Sequence, residues 1–308
     1  MRTRRGNSRS FAGFAAGAKS GGKGIILFAL FVMTLTAIAI YALRQFGGNG
    51  AEHIGTAPGG TGTTKSAAFD SVSEGRIIFG GMPRARAAGI QFTALRNKAY
   101  IVGYSEERRD PLWSAYRVIR VEGEVHEDRP KGNFLTDERT RARVTHNDFT
   151  GSGYDRGHMT PNFAIGTRYG PEAQLETFLL SNICPQAPAL NQKVWEHLEK
   201  MEIDYSNQLG EVWVVDGPVF GDLNGGTTSK LRSGVSVPSA FYKIVVEAHA
   251  GTPRVFSVIM PQTVKGTESP RQFLTSVGEI EKETGLEFLW TLDAATQKGL
   301  KEKVWAMW

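Results

Sequence analysis

Leu190, Val194, Leu198, Met201 and Tyr205 fall within an arc of roughly 80° when the chain is wound at 100° per residue, which predicts an amphipathic helix over residues 190–205. Asn191, Trp195 and Glu199, spaced by four, share the adjoining face of that helix. Elsewhere the apolar positions come in short runs. Residues 76–79, 100–104, 113–121, 211–215, 240–247 and 254–260 are rich in β-branched and aromatic side chains and predict strands. The polar stretch 105–111 predicts a hairpin connection. Gly217-Pro218 predicts the end of the strand before it. Residues 171–180 have helical character, and Ser269-Pro270 predicts a last long helix running to about Glu283, with Gly285 as its stop. Strands and helices interleave without a regular βα alternation, so the expected fold class is α+β with a mixed or antiparallel sheet and packed helices.

The first 72 residues follow a different pattern. Residues 1–24 are basic and contain no acid, and residues 25–43 contain no charge at all. A run of that length is enough for one N-terminal transmembrane helix. Positive charge crowds its amino-terminal side, so the tail is expected in the cytoplasm and the bulk of the chain across the membrane. That means the periplasmic side of a bacterial inner membrane or the intermembrane-space side of a mitochondrial one. A cleaved signal peptide and a buried core helix remain alternatives, and an organelle transit peptide is a third reading compatible with an anchor behind it. Residues 44–72, rich in Gly, Thr, Ala and Ser, read as a flexible linker. The remaining segment, 73–308, is expected to be one folded domain.

Charge changes the picture once. The chain carries a net charge of +5, but its first 44 residues contribute +7, which leaves −2 for the rest. Affinity for nucleic acid would therefore have to come from a local cluster of Arg and Lys rather than from global charge. A single cysteine, Cys184, excludes an intrachain disulfide and a Cys-rich zinc site; in its apolar run it reads as a buried thiol.

The stretch Gly151-Ser152-Gly153-Tyr154-Asp155-Arg156-Gly157-His158-Met159 puts a cation, a candidate general base and a carboxylate within four residues. Gly151 and Gly153 suggest a bend, and Gly157 a backbone turn between Arg156 and His158. Thr145-His146-Asn147-Asp148-Phe149 precedes this stretch. Ser181-Asn182-Ile183-Cys184-Pro185-Gln186 and Leu190-Asn191-Gln192-Lys193-Val194-Trp195 follow it. In content, order and spacing these blocks resemble the DNA/RNA non-specific endonucleases, the ββα-metal (His-Me finger) nucleases of the endonuclease G type. The resemblance runs from about Ser73 to Leu292.

An imidazole is suited to activating water near neutral pH, and the resemblance makes His158 the general base. The resemblance also makes Asn191 the metal ligand. A side-chain amide oxygen is a hard, neutral donor of the kind Mg2+ accepts while keeping several waters, with Mn2+ as a substitute. Glu199 matches a glutamate that holds metal-bound water, with a solvated helix glutamate as the alternative. Asn182 matches a position close to the active site, with a loop-capping amide as the alternative. Arg156 can make charge-assisted contacts to phosphate, the alternative being a salt bridge with Asp155. Arg143, in a run with Arg139 and Arg141, is a further phosphate-binding candidate, or part of a solvated face. Asp155 reads as a supporting residue that orients the loop. His146 and His197 stand at no recognisable ligand spacing from His158.

Together these readings imply a membrane-tethered, magnesium-dependent endonuclease that cuts DNA and RNA with little sequence preference. In it, two strands and a helix would carry His158 and Asn191 to one metal. Two rivals remain open: a tethered nucleic-acid-binding protein without catalysis, and a phosphodiesterase acting on small nucleotides. A homodimer is also left open.

Overall fold

The computed structural model describes residues 75–123, 130–132, 134–221, 225, 227–248 and 251–308. The expected tail, the expected membrane helix over residues 25–43 and the whole linker over 44–72 lie outside the described residues. Among the described residues no helix is long and apolar enough to cross a membrane.

Seven strands form one antiparallel sheet: β1 (Thr93–Arg96), β2 (Tyr100–Ser105), β3 (Asp110–Ile119), β6 (Glu211–Val219), β7 (Ala240–Glu247), β8 (Arg254–Pro261) and β9 (Leu274–Thr275). Their order across the sheet is β9-β8-β7-β6-β3-β2-β1. Two further strands, β4 (Asp155–His158) and β5 (Ile183–Gln186), pair only with each other. The helices are α1 (Asn162–Tyr169), α2 (Pro171–Glu176), α3 (Glu196–Leu209), α4 (Val277–Thr284) and α5 (Ala294–Lys301). The α+β expectation holds.

Both faces of the large sheet are covered. On one face Tyr116, Val118, Val214, Phe241 and Phe256 pack against Leu190, Val194, Trp195, Leu198 and Tyr205 of the predicted amphipathic helix. On the other, Trp113, Ala115, Tyr242 and Ile244 pack against Ile280, Leu286 and Leu300. Burying each large apolar side chain contributes about 1.5–3 kcal/mol. Double coverage also explains why the strands read as nearly continuous apolar runs: every residue of β7 is buried.

Several expected elements differ. Residues 75–77 are helical rather than extended; Ile77 and Ile78 sink into the core there and Phe79 lies 5.5 Å from the Trp213 ring. Gly217-Pro218 does not stop β6, which continues to Val219. Gly217 is needed inside the strand, because a Cβ there would stand 2.4 Å from the Leu112 carbonyl oxygen. The predicted helix after Ser269 breaks into a 3-10 turn (Pro270–Phe273), the edge strand β9 and then α4. The Ser276 hydroxyl caps α4 by accepting from the Glu279 N–H at 3.1 Å, and Gly285 ends it at φ 67°, as expected. The helix expected over 171–180 stops at Glu176, and neither α1 nor α5 was foreseen.

Candidate active site

The β4–β5 ribbon sets Asp155 opposite Gln186, Arg156 opposite Pro185, Gly157 opposite Cys184 and His158 opposite Ile183. Shortly after β5 the chain enters a π-helical turn, Leu190–Trp195, which runs on as α3. The expected unit of two strands followed by a helix is therefore present, with His158 ending its first strand and Asn191 in the first turn of the helical segment. A π turn is an uncommon local form that often accompanies functional sites.

Gly151 and Gly153 make the expected bend, at φ 70° and 82°. Gly157 plays a different part from the one expected. It lies inside β4 and is not in the left-handed region. A Cβ there would sit 2.2 Å from Gln186 Oε1 and 2.6 Å from Gln186 Cβ, so glycine is required by the close crossing of Gln186 rather than by a turn. Cys184, on the facing strand, is fully buried.

Arg156, His158, Asn191 and Glu199 come together in one cleft of about 290 Å³, which Asn162, Phe163, Gln192 and Glu196 complete. The His158 ring packs against two phenyl rings that also touch each other, their centres 5.3 Å apart. Phe134 is tilted against it at 5.3 Å and Phe178 meets it edge-on at 5.4 Å, which fixes the imidazole plane. Asp155 turns away from Arg156 and accepts the Asn191 Nδ2 at 2.9 Å and the Gln192 Nε2 at 2.7 Å. With Nδ2 committed, Oδ1 is the Asn191 amide atom left to act as a donor to a cation. Arg156 Nη2 donates to the His146 carbonyl at 2.7 Å and to Thr150 Oγ1 at 3.3 Å, with its guanidinium 5.7 Å from the Phe149 ring. Desolvation lowers the Arg156 pKa and the nearby Asp155 charge opposes that; an arginine stays protonated regardless.

Asn182 does not line the cleft. It is fully buried, and its side chain grips backbone: Oδ1 accepts the Thr160 N–H at 2.9 Å, while Nδ2 donates to the Thr160 and Thr177 carbonyls at 3.0 Å each. Its own carbonyl takes the Met159 N–H at 3.0 Å. Asn182 thus clamps the chain just past His158. Arg143 is not brought to the cleft either. It pairs with Glu138, while Arg139 is committed to Asp137 at 2.7 Å.

Among the described residues no group of three His, Cys, Asp or Glu side chains is placed to hold a metal ion. The hard oxygen donors of the cleft are the Asn162, Asn191 and Gln192 amides and the Glu196 and Glu199 carboxyls. This donor set fits a cation such as magnesium, which keeps most of its own water.

Behind the cleft lies a charged cluster that sequence reasoning missed. Lys243 of β7 is fully buried, 2.5 Å from Glu202 of α3 and 3.0 Å from Asp216 of β6. The Tyr116 hydroxyl takes the Lys243 ammonium at 2.9 Å and donates to Glu202 at 2.8 Å. Lys243 also lies 4.5 Å from the centre of the Trp195 ring. Burial opposes the Lys243 charge, but the carboxylates of Glu202 and Asp216 outweigh it and hold its pKa above the ordinary value. Burial pushes Asp216 up to about 7 and Glu199 up to about 8, with Lys243 drawing both down. Glu199 and Glu202 are three residues apart on α3, so the cluster braces the helix turn that faces the cleft. The signal available in sequence was a lysine in the middle of the apolar run 240–247.

A family model described as DNA/RNA non-specific endonuclease matches residues 85–295. The chain is similar to mitochondrial endonuclease G of Homo sapiens, with 32% identity over 205 residues, 62% of this chain and 68% of that one. It is 30% identical to a nuclease of Nostoc over 217 residues, 67% of this chain and 76% of that protein. It is 29% identical to nuclease C1 of Cunninghamella echinulata over 66% of this chain and 84% of that one. The solved structure of the EndoG/EndoGI complex contains a similar chain, with a TM-score of 0.61 at 25% identity, covering 71% of this chain and 92% of that chain.

Proposed function

The chain belongs to the DNA/RNA non-specific endonuclease family, and from that membership we propose that it hydrolyses phosphodiester bonds in DNA and RNA through the cleft of His158, Arg156 and Asn191. The observation that carries this reading is convergence. Arg156 and His158 on β4, and Asn191 and Glu199 on the helical segment more than thirty residues later, line the same cleft.

His158 takes a proton from a water molecule as that water attacks the phosphorus. Its ring, held by Phe134 and Phe178, does not have to be reoriented for the transfer. Arg156, two residues before His158 on β4, offsets the negative charge that builds on the phosphate oxygens. Asn191 presents Oδ1 to a divalent cation, here proposed as magnesium, with Asp155 holding the other end of the amide. Bound there, the ion supplies Lewis-acid stabilisation of the phosphate and of the departing O3′. Glu199 lines the same cleft and hydrogen-bonds water there. Sequence preference should be weak, because a site built to grip backbone carries no base readout of its own.

We also propose a single membrane anchor over residues 25–43, with the tail in the cytoplasm and the nuclease domain on the far side. Its support is the charge asymmetry of the first 44 residues. Protease added outside spheroplasts, or to mitochondria whose outer membrane is ruptured, should then digest the domain. A domain protected until the inner membrane is lysed would reverse the orientation.

The test of the activity is digestion of closed circular plasmid and of RNA by the full chain, with and without EDTA. Linearised plasmid and degraded RNA, both abolished by EDTA, are expected. Intact plasmid alongside hydrolysed mononucleotide esters would point instead to a small-nucleotide phosphodiesterase.

A further inference from the structure

Phe163 stands out on α1. Ala164, Ile165, Gly166 and Thr167 beside it are buried, whereas Phe163 is 50% exposed. Its ring borders two spaces at once. One is the cleft containing His158, Arg156 and Asn191. The other is a recess of about 320 Å³, lined by Pro161, Phe163, Ala164 and Ile203 together with Glu196, Glu199 and Lys200. That volume is on the scale of small-molecule pockets, roughly 300–1,000 Å³.

Charge decides what the recess can take. Its cation, Lys200, is bound to Glu196 at 2.7 Å, and its remaining polar group is the Glu199 carboxyl. A phosphate finds no uncommitted cation there and has Arg156 and the Asn191 amide in the adjoining cleft instead. What fits an apolar floor with an exposed phenyl wall is a flat, uncharged, polarisable group joined to that phosphate by one sugar. We infer that the recess is a nucleobase subsite, in which a base unstacked from the substrate lies against Phe163 while its neighbouring phosphate is cut. This rests on the nuclease reading and deepens it: the enzyme favours nucleic acid whose bases can leave the stack, single strands and loops above stiff duplex. Stacking accepts any base, since each has a π face, so the subsite adds affinity without sequence readout.

The test uses the full chain and two single-stranded oligonucleotides of equal length, one with bases and one with abasic tetrahydrofuran residues throughout, measured as the ratio of their kcat/KM values. Base–aromatic stacking of the usual strength predicts a wild-type ratio of about 5 to 100 in favour of the base-bearing strand. Phe163→Ala should compress that ratio at least threefold, and Phe163→Trp should restore it. A wild type that cuts plasmid but treats both strands alike overturns the subsite and leaves the nuclease reading standing. A chain that cuts no nucleic acid overturns both. If Phe163→Ala lowers both rates by the same factor and changes the sedimentation coefficient, Phe163 is covered by a second copy or by another part of the chain, and the subsite is wrong.

Discussion

Asp155 accepts the side-chain amide of Asn191 at 2.9 Å and so decides which end of that amide is left for a cation. The same carboxylate holds Gln192 at 2.7 Å. It is the hinge between strand and helix: the residue beside Arg156 sets the orientation of a residue 36 positions later.

Replacing Asp155 should therefore act through the metal. In Asp155→Ala the Asn191 amide loses its fixed orientation, and the magnesium concentration for half-maximal activity should rise about 10- to 100-fold. Asn191→Ala should shift it further or abolish activation. Magnesium titrations of cleavage check both. An unchanged midpoint in Asp155→Ala would remove this contact from the working site.

His158→Ala should lower turnover by on the order of 10²-fold or more while DNA binding persists. Single-turnover cleavage at saturating magnesium, together with anisotropy of a labelled oligonucleotide, separates the two effects. Near-wild-type cleavage would mean another group takes the proton.

Gly157→Ala should destabilise the fold by about 1–3 kcal/mol, since the added methyl overlaps Gln186 from 2.2 Å away. The Gly157→Ala, Gln186→Ala double variant should recover part of that loss, as read from denaturant midpoints. No recovery would place the strain elsewhere.

Lys243→Met leaves Glu202 and Asp216 buried without their cation and should cost about 3–5 kcal/mol. The pH dependence has a definite sign. Burial raises the folded-state pKa of Asp216 to about 7, above its unfolded value. Its contribution is thus complete below about pH 4 and fades as the pH climbs through 7, because the folded state binds the extra proton. Urea midpoints at pH 5, 6.5 and 8 should fall more steeply in the wild type than in Asp216→Asn. Parallel slopes would show that Asp216 is ionised throughout.

Local rules determined a good deal here. The period of Leu190, Val194, Leu198 and Tyr205 marked the helix because a helix on a sheet must bury one stripe, and all four are buried. The strands over 100–104, 240–247 and 254–260 were legible for the same reason, through residue type. The glycine and serine at the ends of α4 announced themselves or not according to how local their role was. Gly285 takes a left-handed conformation that a side chain resists, whereas Ser276 caps a helix whose start was misplaced because β9 claims Leu274 and Thr275 for the sheet edge. Tertiary structure alone decided the rest. Gly157 and Gly217 look like turn residues in sequence, yet each is a glycine because another part of the chain passes too close for a Cβ. Lys243 looks like a misplaced charge in an apolar strand, and only the folding of α3 across the sheet brings Glu202 to within 2.5 Å of it. His158 and Asn191 were visible as candidates one at a time. Their meeting depends on β4 pairing with β5 and on the π turn that follows, contacts between residues too far apart along the chain for any local period to encode.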